Sequence, residues 1–309
     1  MSKSEFIARH RVTVFFGVTF VISWTIWALS PAVSDGDRNA KLVIDLIGAY
    51  GPALAAMFVS GLVGPERSGV RSVKRWVLFA VVFLIVSLIW LLSAEKFGPF
   101  DTGNPILFTS KLAMAALVAF VISGIYSSRS GVRNLLLPLT TWRVNPIWYF
   151  VVILGYPILI VLTIFLVLLL GIPVPVKYYS VPFQSWYQLF LGLLLGYVQT
   201  VLFQGPLNEE PGWRGLALPG LQDRYGPVIA SLVVGCAWSL WHAPLYFNGL
   251  YAGGVEGMVM RFLWNVPLAF VFTWVYNRTR GSLLISILLH TSLNFQEDVS
   301  SIVLQALVR

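Results

Sequence analysis

Residues 186–214 read WYQLFLGLLLGYVQTVLFQGPLNEEPGWR. The run from Trp186 to Phe203 carries no charge. Two adjacent carboxylates, Glu209 and Glu210, and the guanidinium of Arg214 then follow among the helix breakers Gly205, Pro206, Pro211 and Gly212. An apolar run of this length, without the period-two alternation of a barrel strand, is a helix that satisfies its own backbone hydrogen bonds inside lipid. The charges behind it need a separate reason, because a charge near mid-bilayer costs at least about 2.5 kcal/mol on insertion scales.

The rest of the chain repeats the apolar half of this pattern. Of 309 residues, 57% are apolar and only 11% charged, where a soluble domain carries about a quarter. The spacing predicts membrane spans at 12–33, 42–63, 76–93, 105–126, 146–171, 187–207, 227–247 and 258–277, with a ninth candidate from Ser282. The fold class is therefore all-α, a polytopic transmembrane helical bundle. It reads as one membrane domain over 1–309, with generic spans in 1–184 and the chemistry-bearing polar residues in 185–296. "AVS" at 32–34 offers a signal-type cleavage pattern, but the preceding apolar stretch is too long for a signal peptide, so an uncleaved helix is expected. The single cysteine, Cys236, excludes an intrachain disulfide.

Net charge is +8. The cations sit in short loops between spans rather than on one face of a soluble domain, which excludes a nucleic-acid partner. Lys3, Arg9, Arg11, then Arg67, Arg71, Lys74 and Arg75, then Arg129, Arg133 and Arg143, then Arg278 and Arg280 mark alternate connections. By the positive-inside rule these face the cytoplasm, with the N-terminus. An integral protein of a bacterial cytoplasmic membrane is expected, with the lipid bilayer around it. The same alternation puts the Glu209–Arg214 loop, and any cavity it serves, on the cytoplasmic side. Asp45 and Lys111, near span ends, are expected to snorkel to the interface. The small-residue run IGAYGPALAAMFVSG, 47–61, is expected to be a helix-packing face.

Unusual polarity is confined to the last third: Gln199, Gln204, Asn208, Glu209, Glu210, Arg214, His242, Asn265, His290 and Asn294. Glu210 and Arg214, four apart, share a helical face and can pair. Glu209 is turned about 100° away, toward something else. Trp238 stands one turn before His242, and His290 and Asn294 share another face. Taken singly, each has an ordinary reading: surface acids, a buried hydrogen-bonding histidine, or interhelical polar contacts worth about 0.6–2 kcal/mol. One geometric difficulty stands out. With Gly226 at the surface, a straight helix puts His242 about 24 Å deep, far below a shallow Glu209. Either the segment after Gly205-Pro206 dips into the bilayer, or the helix carrying His242 begins outside it.

Taken together, Glu209-Glu210-x-x-x-Arg214, an aromatic four before His242, and His290-x-x-x-Asn294 resemble the three motifs of the CAAX-prenyl-endopeptidase and bacteriocin-processing family (CPBP, also called Abi). These are intramembrane proteases. The resemblance covers about residues 185–296 and departs at Trp238, where the family usually has phenylalanine. It implies hydrolysis of a peptide bond in a peptide or membrane-protein substrate, with Glu209 as general base and His242 orienting the water. His290 and Asn294 would donate to the oxyanion, Glu210 and Arg214 would form a supporting ion pair, and Trp238 would shape the pocket. No cofactor is expected. Zinc held by Glu209, His242 and His290 is the alternative, though no H-E-x-x-H helix is present. The rival functions are a non-enzymatic binding or immunity protein using the same cavity, and a proton-coupled transporter. No broken helix recurs in two halves, which argues against the transporter.

Overall fold

The computed structural model describes residues 3–63, 71–92, 104–172, 186–296 and 299–300. These residues form helices and short connections, with no strand among them. In chain order the helices are α1 Lys3–Arg9, α2 Arg11–Val33, α3 Arg38–Gly48, α4 Gly51–Val63, α5 Arg71–Leu92, α6 Pro105–Ser123 and α7 Ser130–Leu136. Then follow α8 Ile147–Leu169, α9 Trp186–Phe203, α10 Pro206–Gly212, α11 Leu218–Trp241, α12 Gly254–Arg278 and α13 Leu283–Asn294. Local chemistry sets several of the starts. Asp37 caps α3 by accepting from the backbone N–H of Asn39 and Ala40 at 2.8 and 3.0 Å. Asn104 caps α6 through Ile106 and Leu107, with Pro105 in the first turn where no donor is lost.

Among the described residues, seven stretches are long and apolar enough to cross a membrane. They match the expected spans with one change. Residues 187–246 form a single 60-residue apolar stretch holding two of those spans, and glycine breaks it. Gly205, at φ +113°, ends α9, and Gly226, at φ +74°, reverses the chain inside α11. Between them, 206–225 is helical throughout, including a wider π-type turn at Trp213–Ala217. The ninth candidate is α13, of 12 residues; at 1.5 Å each these reach about 18 Å, short of a crossing. Any continuation past Ser300 lies outside the described residues.

Two helical limbs therefore meet at Gly226, and their lengths resolve the depth difficulty. Glu209 and His242 are each about 24–26 Å from the turn along their own limb, so they return to the same level. The segment after Gly205-Pro206 does dip inward. The turn lies at the basic end of the bundle: Arg224 donates to the Arg9 carbonyl at 2.7 Å, Arg11 faces Asp223 at 3.9 Å, and Gln222 exchanges hydrogen bonds with Asn277. Glu209 and His242 thus lie toward the opposite end. That corrects the expectation of a cavity beside the basic connections, because the charged loop of the sequence reading is a helix running back into the bundle.

The small-residue run is a packing face, as expected. In α4, Gly51, Pro52, Ala53, Ala55 and Ala56 are buried, and α10 lies so close that a Cβ on Gly212 would meet Pro52 backbone atoms at 2.7 Å. Asp45 and Lys111 depart from expectation. Both are buried, and Asp45 accepts from Ser30 Oγ at 2.5 Å, Lys41 Nζ at 2.6 Å and Asn248 Nδ2 at 3.1 Å. Neutralised by Lys41 and supplied with donors, the carboxylate sits inside at tolerable cost and ties α2 and α3 to the connection after α11.

Candidate active site

Helix α10 carries Pro206–Gly212, and every one of these residues is buried. Two i,i+4 pairs radiate from it. Arg214 Nη1 donates to Glu210 Oε1 at 2.9 Å, the pairing that the spacing predicts. One residue earlier, Trp213 donates its indole N–H to Glu209 Oε2 at 3.2 Å. The two acids therefore diverge. Glu210 points into the packing, where the Arg214 guanidinium lies 3.8 Å from the Phe272 ring centroid and 4.7 Å from that of Trp238. Glu209 lines a cavity of about 530 Å³, and neither Glu210 nor Arg214 does.

Elements distant in sequence complete the site. From α11, Trp238 donates its indole N–H to Glu209 Oε2 at 2.6 Å. With Trp213 this gives one carboxylate oxygen two buried donors and leaves Oε1 to the cavity. His242, at the end of the same helix, uses Nδ1 to donate to the Trp238 carbonyl at 2.8 Å. A carbonyl only accepts, so Nδ1 carries the hydrogen and the neutral ring presents an Nε2 lone pair. From α13, His290 Nδ1 donates to Glu210 Oε1 at 2.7 Å, which fixes its ring in the same sense. Asn294 Nδ2 donates to the Gln204 carbonyl at 2.6 Å, keeping one N–H in hand.

Gly205 is where these groups converge. A Cβ built on it would lie 2.9 Å from Glu209 Oε1, 2.9 Å from Asn294 Nδ2 and 3.2 Å from His290 Nε2. Any side chain there would fill the space between the three polar atoms, and φ +113° already favours glycine. All four of Glu209, His242, His290 and Asn294 line the one cavity. Glu209, His290 and Asn294 meet at Gly205; His242 faces the cavity from beside Trp238. Among the described residues, no three of His, Cys, Asp and Glu stand close enough to hold a metal ion.

Three participants went unrecognised in the sequence. Trp213 was legible in principle, because it sits four residues after Glu209. Asp45 and Arg261 line the cavity without any local pattern that marks them. Arg261 donates to the Tyr246 hydroxyl at 3.1 Å and lies 5.0 Å from the Tyr251 ring centroid. Burial holds the Tyr251 phenol above its ordinary pKa, against the opposing pull of Arg261, so this wall of the cavity is a neutral hydroxyl beside a cation.

Residues 191–296 match the family model described as type II CAAX prenyl endopeptidase Rce1-like. A CAAX prenyl protease 2 of Methanococcus maripaludis is 35% identical over 100 residues, which cover 30% of this chain and 37% of that protein. The family-model match runs from within α9 to just past the end of α13, the stretch that carries Glu209, His242, His290 and Asn294, and it bears out the resemblance seen in the three motifs.

Proposed function

We propose that this chain, whose residues 191–296 match the type II CAAX prenyl endopeptidase model, belongs to the CAAX-prenyl-endopeptidase and bacteriocin-processing family and is an intramembrane endopeptidase whose nucleophile is a water activated by Glu209. The observation that carries the reading is the meeting of Glu209 Oε1, His290 Nε2 and Asn294 Nδ2 around side-chain-free Gly205. Amide hydrolysis needs a base for water and donors for the oxyanion, a few ångströms apart; this is such a set.

Glu209 takes the water proton on Oε1, while Trp213 and Trp238 hold Oε2 and fix the plane of the carboxylate. His242 accepts the second water hydrogen on Nε2, which aims a lone pair at the scissile carbonyl. As the tetrahedral oxyanion forms, Asn294 donates its remaining N–H. His290 donates from Nε2 when its ring carries both protons. Glu209 then delivers its proton to the leaving amine. Glu210 and Arg214 act on the geometry, holding His290 through the shared Oε1.

No step uses a metal. Hydrolysis that persists under o-phenanthroline, in protein free of zinc by elemental analysis, is the expected result; loss of activity restored by zinc would overturn the metal-free route. The function itself is tested by mapping protein N-termini in membranes of cells making the wild type or Glu209→Ala at equal levels. Fragments present only with the wild type are expected. Identical fragment sets, with any biological effect of the protein retained, would turn the reading to a binding or immunity role.

A further inference from the structure

A second cavity, of about 480 Å³, lies at the basic end of the bundle, between the end of α4, the start of α5, the end of α6 and the connection into α7. Most of its wall is apolar, with Met57, Phe58 and Leu62 on α4 and Phe120 on α6, but Arg75 and Arg129 both line it. Neither arginine forms an ion pair among the described residues. Arg129 spends one N–H on the Gly61 carbonyl at 2.9 Å. Arg75 packs its guanidinium 5.0 Å from the Phe120 ring centroid and 5.9 Å from that of Trp76, and its Nε is buried without a hydrogen-bond partner.

Two like charges sharing one largely apolar pocket repel, and a buried unpaired donor adds a desolvation cost. One anion bridging the arginines removes both penalties, and a phosphate oxygen suits the guanidinium fork. The apolar wall says what the anion is attached to. Phe58 and Leu62 are 54% and 38% exposed and extend the pocket along α4 toward the lipid-facing surface, a track for an acyl chain and of no use to a free ion. Basic pockets between spans at a membrane face take anionic lipid headgroups in this way. We infer that this cavity is a binding site for an anionic phospholipid, its phosphate between Arg75 and Arg129 and an acyl chain against α4 and Phe120.

The test is native mass spectrometry of the full-length protein in detergent, offered phosphatidylglycerol and phosphatidylcholine at equal concentration. The wild type is expected to retain phosphatidylglycerol preferentially, and Arg75→Gln/Arg129→Gln to lose at least about tenfold of that retention, as two interfacial cations imply. Leu62→Trp keeps both charges but fills the wall. It is expected to lower retention as well, and serves if the double variant does not fold. Millimolar inorganic phosphate is expected to leave the lipid in place. Equal retention of the two lipids, or unchanged retention in the folded double variant and in Leu62→Trp, would overturn the site. Displacement by phosphate alone would overturn the lipid assignment in favour of a free-anion site.

Discussion

Helices α8 and α10 use opposite halves of the amino-acid alphabet in opposite places. In α8, which runs Ile147–Leu169, only Val152 and Ile164 are buried, and Leu162, Phe165 and Leu169 lie at the surface. In α10 every residue is buried, two acids and an asparagine included. A soluble protein would arrange them the other way round. Lipid tails are as apolar as leucine, so α8 gains nothing by hiding its side chains, whereas Glu209 and Glu210 must be taken out of lipid and given partners. Burial in this molecule therefore follows polarity, and the buried polar segment is the one to which the proposed chemistry is assigned.

Substitutions in the two helices should separate these roles. The largest effect is expected at Glu209→Gln, which keeps the shape and the indole partners but removes the proposed base; turnover should fall by about 10²–10⁴-fold while the folded fraction by gel filtration is unchanged. Glu210→Gln should do the reverse. It leaves Arg214 and His290 without their shared anion, and should cost about 3–5 kcal/mol of stability in a denaturant titration. A mild loss there would mean that the pair contributes little and that packing alone holds α10.

Trp238→Phe comes next. It keeps an aromatic ring but deletes the 2.6 Å N–H donor to Glu209. A hydrogen bond to a charged group is worth about 1.5–3 kcal/mol, so kcat should drop about 10–100-fold with little change in stability. Unchanged turnover would reduce the indole to a space-filler. The smallest effect belongs to α8: Leu162→Ala, at a side chain 58% exposed, should shift stability by no more than about 0.5 kcal/mol. A loss of about 2–5 kcal/mol, the size of a core truncation, would mean that this face is covered by protein rather than lipid.

Local pattern made part of the site readable. The four-residue spacings of Glu210 with Arg214 and of His290 with Asn294 are properties of a helix, and they hold wherever the helix goes. The same rule, applied to Glu209, points to Trp213. Asp45 was misread because hydropathy records how near a charge lies to a span end, not whether Ser30, Lys41 and Asn248 from other segments will meet it. The place of the cavity was misread for a related reason. Cation counting orders the loops, but 206–225 is a helix rather than a loop, and no charge count reveals that.

The sequence by itself determined a helical membrane protein, its approximate spans, and which side chains are too polar to face lipid, because transfer energies and helical periodicity depend only on residue type and spacing. The tertiary structure alone decided that Glu209 and His242 stand at one depth, that Trp238 and Trp213 grip one oxygen of Glu209, and that His290 and Asn294 meet it beside Gly205. Those outcomes rest on two backbone reversals, at Gly205 and Gly226, and on the close approach of Gly212 to Pro52. Both are long-range matters of where one helix stops and which surface it meets next.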